Sequence, residues 1–233
     1  DIENLTIADT DQTDSEDQIF SFQWAVSQAA PARRLYVERR AAFDWYYGWA
    51  SGGFIADSIF EKSAGSYPQQ QYYYRNCELR GGVYGINWNQ IIQGSVGVTG
   101  ENSSDNTGKS FNNVTNLINN NGVTNWNQRG CTSIINNTDV IREKPFLFFD
   151  SEADAYKVFV PALRKNATGV SWTEDNIGSG QIIDVEKNFY IADPEKDTAD
   201  TINYQLAIGM NILFSPGIYH VNKPIEVKYA DTI

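Results

Sequence analysis

The sequence predicts an all-β chain folded as a parallel β-helix, and three observations carry that expectation. Short strand-like segments recur in one frame at 3–8, 33–38, 56–61, 75–80 and 93–98, with central residues Leu5, Leu35, Ser58, Cys77 and Ser95 spaced 30, 23, 19 and 18 residues apart. A repeat near twenty residues built on one short strand marks a solenoid, because a single coil cannot bury its own apolar face and is stable only against a neighbour. Within the segments, apolar and polar residues alternate as a half-buried strand requires. Finally, 41% hydrophobic and 13% aromatic content over 233 residues supplies a core for one domain or two small ones.

Segment 3–8 already reads as a strand inside the stack and lacks the polar cap of a solenoid end, so further chain is expected before it. Residues 10–18 form an acidic loop, and 20–26 lead into the strand at 33–38. Phe43, Trp45, Tyr46, Tyr47 and Trp49 then crowd around Asp44; such rings stack between coils, and they are also the faces on which sugars stack. In the next coil Phe54, Ala56, Ser58 and Phe60 share the parity expected inside, leaving Ile55, Asp57, Ile59 and Glu61 outside. Cys77 and Leu79 are expected inside, with Asn76, Glu78 and Arg80 outside, and the coil at 93–98 is expected to slip by one residue.

Between these coils Gln69, Gln70 and Gln71 precede Tyr72, Tyr73 and Tyr74. Alternation cannot bury all three amides. Residues 101–140, rich in Asn, Ser, Thr and Gly, read as a surface insertion. From Pro145 the pattern changes: 146–149 and 156–161 flank a turn and predict a hairpin. A helix over 199–208 is signalled by Asp197 or Thr198 as its cap and Gly209 as its stop, followed by strands at 211–214 and 224–227. The domain reading is therefore β-helix coils over 1–140 with the insertion at 101–140, a hairpin and linker over 141–188, and a capping helix with the first strands of a second β-helix over 189–233.

Eighteen basic against twenty-nine acidic residues give a net charge of −11 without a basic cluster, which disfavours nucleic acid. No apolar run reaches the roughly 20 residues that span a bilayer, so no membrane partner is expected. The first residues lack the charged and apolar regions of a signal peptide, as in a mature or excised chain. Asn4, Asn102, Asn113, Asn136 and Asn166 each begin an N-x-[ST] sequon, and a secreted, extracellular glycoprotein is expected. In an oxidising compartment the two cysteines, Cys77 and Cys131, would form a disulfide worth roughly 4 kcal/mol on the chain-entropy model; the alternative is two buried thiols. No metal or cofactor motif is present, and His220, the single histidine, argues against a histidine-dependent triad.

The segment running from Asp197 through the helix to Pro216-Gly217-Ile218-Tyr219 resembles the entry of pectate-lyase-like right-handed β-helices. A helix start placed after β-helix coils implies two solenoids in tandem. That arrangement resembles the family-55 glycoside hydrolases, the exo-β-1,3-glucanases, and related tandem β-helix proteins, some labelled coagulation-factor-5/8-type. Segments 49–57, 142–147 and 159–164 are similar to those relatives too. The resemblance implies a cleft between the helices, a catalytic acid from the second helix, beyond Ile233, and amides of the first helix that orient water, a role only Gln69, Gln70 and Gln71 match.

Glycoside hydrolysis needs two carboxyl groups about 5 to 9 Å apart, and coils stack about 4.8 Å apart. Asp57, Glu61 and Glu78 on adjacent coils are the candidate catalytic residues, with solvent-facing charge as the plainer reading. Trp45, Trp49, Gln69, Gln70, Gln71, Tyr72 and Tyr74 are the candidate sugar-binding residues. The expected function is a polysaccharide hydrolase acting on a β-glucan, with polysaccharide as its partner; the alternative is a non-catalytic glycosylated rod whose exposed edges allow self-association.

Overall fold

Strands whose neighbours are a full coil away in sequence lie side by side and parallel. The computed structural model describes residues 1–9, 22–24, 31–43, 52–65, 71–84, 89–97 and 131–233. In chain order the first strands are β1 (Ile2–Ile7), β2 (Phe22–Gln23), β3 (Pro31–Val37), β4 (Ala41–Ala42), β5 (Gly53–Ala56), β6 (Ile59–Phe60), β7 (Ala64–Gly65), β8 (Gln71–Arg75), β9 (Glu78–Leu79), β10 (Val83–Tyr84), β11 (Asn89–Gln93) and β12 (Cys131–Ile135). An 8-stranded sheet runs β12-β11-β8-β5-β3-β6-β9 with β1 on β3, and a 4-stranded sheet runs β10-β7-β4-β2. All pairs within both sheets are parallel. The chain is a β-solenoid.

The observed register is the frame read from the sequence. Leu5 faces Leu35, Tyr36 faces Ile59, Ile59 faces Glu78 and Glu78 faces Val96, so Leu5, Leu35, Ser58, Cys77 and Ser95 stand level. The one-residue slip expected at 93–98 is absent.

Side assignments fail at one column. Asn4, Arg34, Asp57, Asn76 and Gly94 all have positive φ, between 50° and 58°, and the register stacks them one on the next. A left-handed residue bends the strand and shifts its inside–outside parity by one. Before the bend Ala32, Ile55, Tyr74 and Ile92 point into the coils; after it Leu35 and Cys77, then Val37, Phe60 and Leu79, do so. Ile55 is thus inside, the reverse of the expectation. Asp57, Ile59 and Asn76, expected at the solvent face, are buried.

The bend also explains the small polar residues in the core. Ser58 Oγ donates to Ala56 O at 2.8 Å and accepts from Leu35 N at 3.1 Å. One coil on, Cys77 Sγ donates to Arg75 O at 3.6 Å and Ile55 O at 3.7 Å. On the next, Ser95 Oγ donates to Gln93 O at 3.3 Å and accepts from Cys77 N at 3.0 Å. Cys77 therefore occupies a serine's place as a buried thiol, not half of a disulfide. Cys131 pairs with Asn89, which pairs with Gln71. Cys77 lies six residues past Gln71, roughly 20 Å along extended chain, whereas a disulfide needs Cα atoms within about 7 Å.

The remaining elements are β13 (Thr138–Ile141), β14 (Phe146–Asp150), β15 (Ala155–Pro161), β16 (Arg164–Ala167), β17 (Gly180–Asp184), α1 (Val185–Asn188), β18 (Phe189–Ala192), α2 (Ala199–Ala207) and β19 (Asn211–Phe214). The chain forms two compact units, Asp1–Arg142 with Leu163–Gly178, and Glu143–Ala162 with Ser179–Ile233. Leu163–Gly178, expected in the linker, packs with the coils. Its strand β16 pairs antiparallel with β13.

In the second unit β14 and β15 form the expected hairpin, and β17 pairs antiparallel with β15 on its other side. Asp150 shapes the turn, accepting from Glu152 N at 3.0 Å, Ala153 N at 3.1 Å and Lys157 Nζ at 2.6 Å. Thr198 caps α2 through Thr201 N, and Gly209 beyond its end has φ 91°. The helix buries Ala199, Ile202 and Leu206, the last two in a cluster with Ala192, and β18 and β19 pair in parallel. Residues 224–227 form no strand ladder. They are tied to α2 instead, where Asn203 Nδ2 donates to Pro224 O at 3.0 Å and Asn203 Oδ1 accepts from Glu226 N at 2.8 Å.

Candidate functional site

Two surfaces of the coil unit carry chemistry. On β8, alternation before the bend sends Tyr72 and Tyr74 inward and Gln71, Tyr73 and Arg75 outward. Tyr72 OH donates to Phe43 O at 2.8 Å and its ring stacks on Phe43 at 6.1 Å; Tyr74 is completely buried. Both were expected to line a sugar groove and instead fill the coil interior. Tyr73 is the tyrosine that reaches the outer face.

The register places Pro31, Phe54, Tyr73 and Ile91 in one outward row and Arg33, Ala56, Arg75 and Gln93 in the next. The Tyr73 ring lies 5.4 Å from that of Phe54, and its hydroxyl donates to Gln93 Oε1 at 2.6 Å. The guanidinium carbons of Arg33 and Arg75 sit 4.7 and 5.2 Å from the Phe54 centroid. Gln71 is exposed at the near end of β8. Amide, phenol and guanidinium groups beside an aromatic row provide donors, acceptors and a flat apolar face, which is what a sugar ring with its hydroxyls requires. Trp45, Trp49, Gln69 and Gln70 lie outside the described residues.

The second surface holds the carboxylates. Glu61 and Glu78 come together as adjacent coils require, but through Arg80: its guanidinium is paired with Glu61, donates to Glu78 Oε2 at 2.9 Å and reaches Glu174 Oε1 at 3.3 Å. Tyr36 OH donates to Glu61 Oε1 at 3.0 Å, and burial, reinforced by that bond, pushes its pKa up to about 12. The arrangement is an ion cluster with a cation between the two acids rather than two carboxyl groups facing an open space for substrate.

Asp57, the third candidate acid, lies beneath Ser171. Its Oδ1 accepts from Ser171 N at 2.6 Å, its Oδ2 from Ser171 Oγ at 2.7 Å and from Arg34 Nη1 at 3.1 Å, and its backbone oxygen from Trp172 Nε1 at 2.7 Å. Burial raises its pKa against the opposing pull of those Ser171 bonds and Arg34. With no exposed surface it is a structural residue that substrate cannot touch. Its partners Arg34, Ser171 and Trp172 were not expected from the sequence. The signal was the recurrence of Asn4, Asp57, Asn76 and Gly94 just before the central residue of each coil, since Asn, Asp and Gly are the residues that adopt positive φ most readily.

Of the sequons, Asn4, Asn136 and Asn166 are exposed. Asn4 Oδ1 accepts from Arg34 Nε at 3.1 Å, and Thr138, the third residue of the Asn136 sequon, is buried and donates to Asn76 Oδ1 at 2.8 Å. Asn102 and Asn113 lie outside the described residues.

Comparison with known proteins gives the geometry a context. Over 213 residues the chain is 38% identical to an exo-beta-1,3-glucanase from Streptomyces sp. (strain SirexAA-E / ActE), a match covering 91% of this chain and 30% of the relative. The chain is a homologue of part of an exo-beta-1,3-glucanase. The structure of sacteLam55A from Streptomyces sp. SirexAA-E aligns with a TM-score of 0.70 at 38% identity, over 90% of this chain and 33% of that one. A variant of sacteLam55A refined in complex with glucose aligns equally well. The chain thus spans about a third of the length of the proteins it matches. No family model matches it. The resemblance read from the sequence to tandem β-helix glucanases is borne out by this relative and by the parallel solenoid.

Proposed function

We propose that this chain is part of a secreted polysaccharide hydrolase acting on β-1,3-glucan, to which it contributes a coil stack with a sugar-facing surface. The observation that carries the reading is the 38% identity to an exo-beta-1,3-glucanase across 91% of this chain. Hydrolysis adds water across a glycosidic bond and needs one acid to protonate the leaving oxygen and a second group to activate the water or attack the sugar. The three candidate acids are buried (Asp57) or bound to Arg80 (Glu61 and Glu78), and this chain covers 30% of the relative; the reading assigns the general acid to another part of the whole enzyme. The role of this chain is to hold sugar on the outward face of β8 and β11, with Tyr73 as the ring and Gln71, Arg75 and Gln93 as hydrogen-bonding groups. A net charge of −11 suits a neutral glucan better than a polyuronate. A polymer too large to enter cells calls for an extracellular enzyme, which fits the sequons.

The test is the rate of glucose release from soluble β-1,3-glucan by the protein that carries this chain, beside its Gln71→Ala and Tyr73→Ala variants. Each variant is expected to lower kcat/KM about tenfold or more, with unfolding midpoints within a few degrees of wild type, because one ring or amide contact contributes on the order of 1 to 2 kcal/mol. Variants with wild-type kinetics would remove the sugar-binding role from this face. A wild-type protein that binds no glucan would leave the glycosylated rod as the better reading.

A further inference from the structure

Residues 163–178 cross the coils as a strap laid along the bend column. Toward one end Gly169 N donates to Gly94 O at 2.7 Å and Asn76 Nδ2 donates to Ala167 O at 3.1 Å. Toward the other, the loop from Ser171 to Gly178 closes around a single guanidinium: Arg34 Nη1 donates to Ser171 Oγ and Nη2 to Ile177 O, both at 3.1 Å, while the Trp172 ring lies 5.4 Å from the guanidinium carbon. Between these ends Asp57 binds both the backbone and the hydroxyl of Ser171.

Nearly all of these ties are polar. Among the described residues no strap side chain belongs to the apolar cluster inside the coils, and Leu163 and Ile177 are exposed. A segment held by hydrogen bonds over little buried apolar surface opens at a lower free energy than the core beneath it. Opening strands no charge, because Asp57 and Arg34 remain paired with each other at 3.1 Å and gain water.

We propose that the strap is a latch that opens and closes as a unit on an intact coil stack, with Asp57, Arg34 and Ser171 as its catch. Closure delivers Glu174 to Arg80 and so completes the carboxylate cluster with Glu61 and Glu78. Its two ends, at Leu163 and Gly178, are also where the chain passes between the compact units. The latch therefore decides whether both connections start from fixed points on the coils.

Hydrogen–deuterium exchange of the 233-residue chain, read peptide by peptide, tests this. In the wild type the amides of 169–177 are expected to exchange faster than those of 35–37 and 72–79. Ser171→Ala removes a hydroxyl bound to a charged carboxylate and is expected to speed the strap about tenfold while the coil peptides keep their rates. Trp172→Phe, which loses the bond to Asp57 O and replaces the indole over Arg34 with a smaller ring, is expected to act in the same direction. Strap amides as slow as the coil amides in the wild type would overturn the latch. So would a Ser171→Ala variant in which both sets accelerate together, or neither does.

Discussion

Cys77 shows how much one position in a stacked fold is decided by its neighbours above and below. Ser58 and Ser95 flank it in the column, and all three side chains donate to the carbonyl two residues back. Cys77→Ser is therefore expected to leave the unfolding free energy within about 1 kcal/mol of wild type, since the hydroxyl inherits the thiol's bonds. Cys77→Val keeps the apolar volume but removes the donor and is expected to cost about 1 to 3 kcal/mol. Urea unfolding of both variants checks the ordering, and a Ser variant less stable than Val would contradict it. Asp57 teaches a related lesson. In the sequence it is one acid among twenty-nine, and only its place in the left-handed column separates it from Glu61 and Glu78.

At the scale of elements, the coils were legible and the strap was not. Parallel strands of a solenoid repeat the same environment each turn, so the frame from Leu5 to Ser95 emerges from the sequence by itself. Parity was lost at the bend because alternation assumes continuous strand, and one positive-φ residue reverses it. The strap leaves no periodic trace: its contacts run from Ser171 to Asp57 and from Ala167 to Asn76 across about a hundred residues. The hairpin β14–β15 and helix α2 were legible because Asp150, Thr198 and Gly209 have local turn and cap chemistry. For the hairpin this yields a pH prediction. The hydrogen bond from Lys157, then that from Ala153, outweigh burial and, with the weaker bond from Glu152, hold the Asp150 carboxyl below its usual 3.8. A lowered folded-state pKa gives stability that is present above the unfolded value and lost as pH falls through the folded one. Exchange protection of 146–161 is thus expected to decline below about pH 4, and Asp150→Asn to flatten that decline. Equal pH dependence in both proteins would contradict the assignment.

For the whole molecule, the inferences converge on a solenoid whose outward sheet face presents rings and amides while its three candidate acids are buried or bound to Arg80. The candidate site was only partly legible. Gln71 lies where an amide was expected, but Tyr73 replaces Tyr72 and Tyr74 because the strand's parity, not its composition, selects which tyrosine meets solvent. The most direct measurement is the product released when the protein carrying this chain is incubated separately with β-1,3-glucan, β-1,4-glucan and polygalacturonate. Glucose from β-1,3-glucan, with little from the other two, is the predicted result. No product from β-1,3-glucan, or faster release from polygalacturonate, would contradict the account.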